Sequence, residues 1–230
     1  MSLDNSPVQL EIRRLARMLT LEPDALSGLA NLPVEDLRTL RGQVASKLFD
    51  EGADSWDRAV AVSGIVPSGL AAKLSQGALG PVLAARVTSL VDTDRAVDIA
   101  SKLPAGFMAD TAVNIDPRSV TGLVVQLPPT TIAEVGAVLA ERGEWLVMAD
   151  FVAAVTLPAL RTTIDSLDEE AILRAGVLLE DPERVTQVVA MLSASRIIEL
   201  RRVAVDEGLE DHLAHISGVV DDDQRARLSG

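Results

Sequence analysis

His212 and His215 stand three residues apart in Glu210-Asp211-His212-Leu213-Ala214-His215, and Asp221-Asp222-Asp223 follows shortly after. Residues at i and i+3 share a helix face, and imidazoles beside carboxylates can bind zinc or another divalent cation. His212, His215, Asp221, Asp222 and Asp223 are therefore the candidate metal ligands of this chain. A simpler reading competes with that one: a solvated helix, then an acidic first turn that suits the positive end of the next helix dipole. Structural zinc sites recruit four protein ligands, and no H-E-x-x-H is present. The simpler reading is preferred, and no residue is assigned to a metal.

Other reaction chemistry finds less support. Ser-Gly pairs occur at Ser27-Gly28, Ser63-Gly64, Ser68-Gly69 and Ser217-Gly218, but none sits in a G-x-S-x-G nucleophile elbow. Neither G-x-x-x-x-G-K-[ST] nor G-x-G-x-x-G occurs, so no phosphate-cradling loop is encoded. The chain has no cysteine, which excludes disulfides, thiolate nucleophiles and cysteine metal sites. Adjacent acids such as Glu169-Glu170 and Asp50-Glu51 are read as ordinary surface usage. No catalytic or cofactor-binding residue and no cofactor is assigned, and the expectation is a protein that is not an enzyme. Trp56 and Trp145 each follow a glycine, Gly52 and Gly143, and are read as wedges between repeated units rather than as binding hot spots. Arg184, Arg196, Arg201 and Arg202 form the one basic group, read as a solvated face.

The elements that would carry these residues follow from composition and period. The chain has 230 residues, 34 acids against 21 bases and a net charge of −13. That balance argues against nonspecific nucleic-acid binding, which needs a basic surface. No run approaches the ~18–20 apolar residues of a membrane span, and Met1–Pro7 lacks the basic-then-apolar pattern of a signal peptide, so a cytoplasmic protein is expected. Hydrophobic residues make up 48% and aromatics 2%, so the core must be aliphatic. Eighteen of the bases are Arg and three are Lys, a bias read as coding composition.

Apolar spacing is helical nearly throughout. Pro7 opens a helix behind Asn5-Ser6, and Ile12, Leu15, Ala16 and Leu19 recur at three- and four-residue steps. Only Gly122–Val125 could compete as a strand, and its flanks, Asp116-Pro117 and Leu127-Pro128-Pro129, read as helix start and stop. First turns are expected at Thr93, Pro104, Pro117 and Pro128, and again at Pro158, Glu169, Pro182 and Ala194. This is a helical hairpin about every 24 residues. Shifted by 65 residues, Asp116–Gly143 and Asp181–Gly208 share ten of 28 positions, among them Val120/Val185, Val124/Val189, Leu127/Leu192 and Ile132/Ile197. A weaker third copy runs from Glu22-Pro23 through Leu32-Pro33 to Glu51-Gly52. Helices of about ten residues cannot bury an apolar stripe alone, so stacked hairpins are expected.

The recurring corners Leu103-Pro104, Asp116-Pro117, Leu127-Pro128 and Asp181-Pro182 resemble those of the N-terminal cytoplasmic domain of MgtE-type magnesium transporters, and are similar to the helical repeats of the flagellar motor-switch protein FliG. The resemblance covers roughly Asp92–Gly208, without the transporter's membrane helices or room for its paired nucleotide-binding module. It implies sensing or docking rather than transport. The expected fold is all-α, a right-handed α-solenoid or superhelix of short helical hairpins, with an N-terminal helical region over 1–80 and a regular array over 81–230. Ser75–Pro81 is the expected joint. The expected function is a noncatalytic helical-repeat scaffold that binds a protein partner or another copy of itself. The alternative is a regulatory module sensing a divalent cation such as magnesium.

Overall fold

A computed structural model describes residues 6–19, 21–50, 68–74, 76, 80–88 and 91–229, and among these it is all helix, with no strand. Fifteen α-helices run α1 (Pro7–Met18), α2 (Val34–Asp50), α3 (Ser68–Leu74), α4 (Gly80–Thr88), α5 (Thr93–Ala100), α6 (Ala105–Ala112), α7 (Thr121–Val124), α8 (Pro129–Glu141), α9 (Trp145–Val152), α10 (Leu157–Ser166), α11 (Glu169–Gly176), α12 (Pro182–Met191), α13 (Ala194–Asp206), α14 (Glu210–Val219) and α15 (Asp222–Ser229). Among the described residues, the 3₁₀ turns Pro23–Leu29 and Pro117–Val120 precede α2 and α7. Gly122–Val124 is helical, as its flanks imply. Trp56, Gly52 and most of the Ser75–Pro81 joint lie outside the described residues.

Local chemistry sets these boundaries. Side chains of Ser6, Thr156, Asp168, Asp181 and Ser193 accept hydrogen bonds from backbone N–H groups two or three residues on, satisfying donors that a helix start leaves orphaned. Pro7, Pro129, Pro158 and Pro182 occupy first-turn positions, where a missing N–H costs nothing. The two 13-residue helices, α8 and α13, are closed by Gly143 and Gly208 at φ +71° and +65°, the left-handed conformation that a side chain resists.

Most helices pack on the helix two places further along. The pairs α4–α6, α6–α8, α8–α10, α10–α12 and α12–α14 form one row; α3–α5 and α5–α7, and then α9–α11, α11–α13 and α13–α15, form a second that lacks the same packing between α7 and α9. Helix α8 lies close on α10, where a Cβ added at Gly136 would come 2.8 Å from the Thr163 Cγ2. Between the rows, aliphatic side chains such as Ile164, Leu173, Val185, Ile197 and Leu200 form the largest core cluster. Trp145 is half-buried and packs against two further clusters at once, one of which contains Leu10.

The Leu10 cluster shows how the N-terminal helices are seated. Leu10 packs on Leu146 and Ala149 of α9 and on Val177 and Leu178 after α11. Around it lies a network of charges. Glu11 is 1% exposed, and its carboxylate accepts from Arg41 Nε (2.7 Å) and from Arg14 Nη1 (3.2 Å). Arg14 also donates to Asp150 (2.7 Å) and Glu180 (2.6 Å), and Arg38 reaches Glu180 (3.1 Å). Burial pushes the Asp150 carboxyl above the ordinary aspartate value, against the pull of Arg14, Arg17 and Arg41. Burial also acts on Glu180, but there Arg14 and Arg38 outweigh it and hold the group below its ordinary value. Charges this enclosed need several partners each, and these residues supply them.

Candidate functional site

Arginines contribute more to this fold than coding bias implies. Short helices expose many C-terminal carbonyls, and each orphaned carbonyl needs a donor. Arg196 donates to the Ile164 carbonyl (2.6 Å), the Leu167 carbonyl and Glu169 (2.6 Å), tying α13 to the end of α10. Arg227 does the same for Val189 and Leu192 at the end of α12, and Arg225 for Ser217 and Val220 at the end of α14. Arg184 reaches the Ala153 and Val155 carbonyls beyond α9. The solvated-face reading thus fails for Arg184 and Arg196, whose side chains clasp neighbouring helix ends. It holds better for Arg202, which is exposed and bonded to Glu199 and Asp206 of its own helix.

The metal-ligand candidates are dispersed over two helices. His215 is exposed, whereas His212 is half-buried rather than exposed as its sequence context suggests. Burial is the first cause of its depressed imidazole pKa, and the Arg174 charge adds to it. Asp221 Oδ1 accepts from the Gln224 N–H (2.8 Å) and caps α15, and Asp222 pairs with Arg225 (2.7 Å). Asp223 is exposed in the first turn of α15. Among the described residues no three His, Asp or Glu side chains gather as a metal site requires. Glu169 and Glu170, the adjacent acids, pair with Arg196 and Arg174.

The outer face of α13 is the surface feature that stands apart. Ile198 is 62% exposed and Val205 65%, seven residues apart on one side of the helix, with Arg201 between them. Ile197, Leu200 and Ala204 form a second stripe on the same helix, and that stripe is buried. At the aligned positions α8 carries Ala133, Gly136 and Ala140 instead. Ala133 is 6% exposed, and Gly136 lies against α10. Helix α15 occupies the place in chain order that α10 holds after α8, and it packs on α13 without covering Ile198 or Val205. Arg201 has no ion pair among the described residues, and its neighbour Arg202 is already committed. The sequence signal for this face was α13's surplus of apolar residues, two stripes where packing on one side needs a single one.

No protein-family model, curated protein or solved structure matches the chain. Among the described residues, no helix is long and apolar enough to cross a membrane.

Proposed function

We propose that this chain is a noncatalytic helical-repeat scaffold, an α-solenoid of hairpins, which uses the outer face of α13 to hold a helix of a protein partner. The observation that carries the reading is the contrast between duplicated helices. On α8 the small residues Ala133, Gly136 and Ala140 admit a neighbouring helix, whereas on α13 the aligned residues are Ile198, Arg201 and Val205, two large apolar groups in solvent flanking a cation. Packing constrains the shared positions of a duplication and leaves the divergent, exposed ones free to meet something else. A helix is the matching occupant, because a helix covers the aligned face of α8. Its chemistry follows from α13: apolar residues one helical turn or two apart for Ile198 and Val205, and an acidic residue for Arg201. The corners shared with the MgtE-type and FliG-like repeats fit a docking role of this kind.

The test places a photo-crosslinking amino acid at the exposed position of Ser195, one turn before Ile198 on α13, leaving Arg201 in place, and recovers adducts from extract of the native cell. The expected result is a single adduct whose cross-linked peptide is an amphipathic, acidic helix, lost in the Ile198→Glu/Val205→Glu double variant while circular dichroism stays unchanged. Adducts that survive the double variant, or that link this chain to itself, would overturn the reading.

A further inference from the structure

A cavity of about 230 Å³ is lined by residues from Ala84 on α4 to Val188 on α12, Leu139 and Phe151 among them. Nine successive helices, α4 through α12, contribute to its wall. Several wall residues, among them Ile99, Leu103 and Val135, are half-buried rather than buried, because they face this space. Among the described residues no ionisable or amide side chain lines it, and threonine hydroxyls supply the side-chain hydrogen-bonding groups. The protons of those hydroxyls are committed within their own helices. Thr88 donates to the Ala84 carbonyl (2.7 Å), Thr111 to Phe107 (2.9 Å) and Thr163 to Ala159 (2.9 Å).

We infer that this cavity is a binding site for a long aliphatic chain, as in a fatty acid or a lipid acyl tail. Four features select that ligand class. Among the described residues the wall offers three threonine oxygens as acceptors and no uncommitted side-chain donor, so a sugar, nucleotide or peptide entering it would leave most of its polar groups unpaired at high cost. The volume exceeds the roughly 150 Å³ of an engineered apolar cavity that stays dry and takes up benzene, so an occupant larger than one ring fits. A wall drawn a few side chains at a time from nine successive helices suits a chain that touches many of them better than one compact ring. Finally, with no charged group on the wall, a polar head must remain outside while the tail lies within. Small side chains on the wall, among them Ala96, Ala100 and Ala112, leave room beside their larger neighbours. This inference is independent of the α13 face, which lies elsewhere on the chain.

The test is a fluorescence titration of the full chain with cis-parinaric acid, whose polyene tail brightens on leaving water. The expected result is saturable binding near one equivalent. Competition by palmitic acid would identify a free fatty acid as the fitting source, and competition by monomeric lysophosphatidylcholine alone would identify a lipid tail; either supports the site. Two substitutions fill the cavity from different helices, Ala112→Phe on α6 and Val135→Phe on α8. Each should weaken parinarate binding at least tenfold while Ile198→Glu leaves it unchanged. A wild-type chain without saturable binding, or folded filling variants that bind as tightly as wild type, would overturn the inference. Should neither filling variant fold, a diazirine-bearing palmitic acid on the wild-type chain decides the matter. Adducts confined to wall residues of α4–α12 uphold the site, and adducts spread over the outer surface overturn it.

Discussion

Removing the Glu11 carboxylate should undock the N-terminal helices. Glu11 side chain is fully buried, and Arg41 gives it two hydrogen bonds, at 2.7 and 3.3 Å. In Glu11→Ala, Arg14 keeps Asp150 and Glu180, and Arg38 keeps Glu35 and Glu180. Arg41 loses its hydrogen-bonded partner while only 16% of its side chain reaches solvent, and keeps just the unbonded charges of Asp116 and Asp150. Breaking a buried pair by deleting one member costs about 3–5 kcal/mol, because the remaining charge stays desolvated. For a chain of this length each kcal/mol lowers Tm by roughly 2–4 °C, so a fall of about 6–20 °C is expected. A local probe is available: the ring of Trp145 packs against the cluster that Leu10 joins, and with Trp56→Phe it is the sole tryptophan. Its emission should shift on Glu11→Ala at denaturant concentrations where far-ultraviolet circular dichroism is still largely native. The double variant Glu11→Ala/Arg41→Ala should lose much less than the sum of the single losses, since it removes the stranded cation. A Tm drop under about 2 °C, or strictly additive single losses, would refute the claim that this pair holds α1 and α2 in place.

The duplicated isoleucines should respond unequally. Ile197 is 3% exposed and Ile132 only half-buried, so Ile197→Ala should cost about 2–5 kcal/mol in urea unfolding and Ile132→Ala clearly less. Gly136→Ala should destabilise despite alanine's better helix propensity, because its Cβ would meet Thr163 Cγ2 at 2.8 Å; overpacking of this kind costs about 1–3 kcal/mol, and Thr163→Ser on the same background should restore much of it. His212 titrates below its ordinary value of 6.5 when folded, so the unfolded chain takes up the proton first. Its contribution to stability is complete above that value and is lost as pH falls through the folded value; His212→Gln should flatten the slope of the urea midpoint just below pH 6.5, and an unchanged slope would exclude His212 as its source.

Helix content and helix boundaries were legible because they rest on interactions within a few residues. Asp168 and Asp181 cap the helices that begin one residue later, Pro182 opens its helix, and Gly143 and Gly208 end theirs at positive φ, all within the reach of neighbouring side chains. Small offsets arose where a proline serves as the cap rather than the first helical residue, as at Pro104 and Pro128. Partner choice across the chain was not legible. Glu11 meets Arg41 from 30 positions away and Arg14 meets Glu180 from 166, distances over which no spacing rule operates. The same holds for Arg196, whose charge suggested a solvated surface until the ends of α10 and its own Glu169 contact came within reach. Sequence periodicity also marks a stripe as apolar without saying what covers it. The stripe at Ile197 and Leu200 is buried and the one at Ile198 and Val205 is open, and only the packing of α11, α14 and α15 around α13 separates them. The apolar cavity is likewise a product of assembly, since its wall draws on nine helices, each of which supplies only a few side chains. Local capping and backbone stereochemistry therefore determine the elements, whereas burial of charge, the open face of α13 and the apolar cavity depend on how those elements stack.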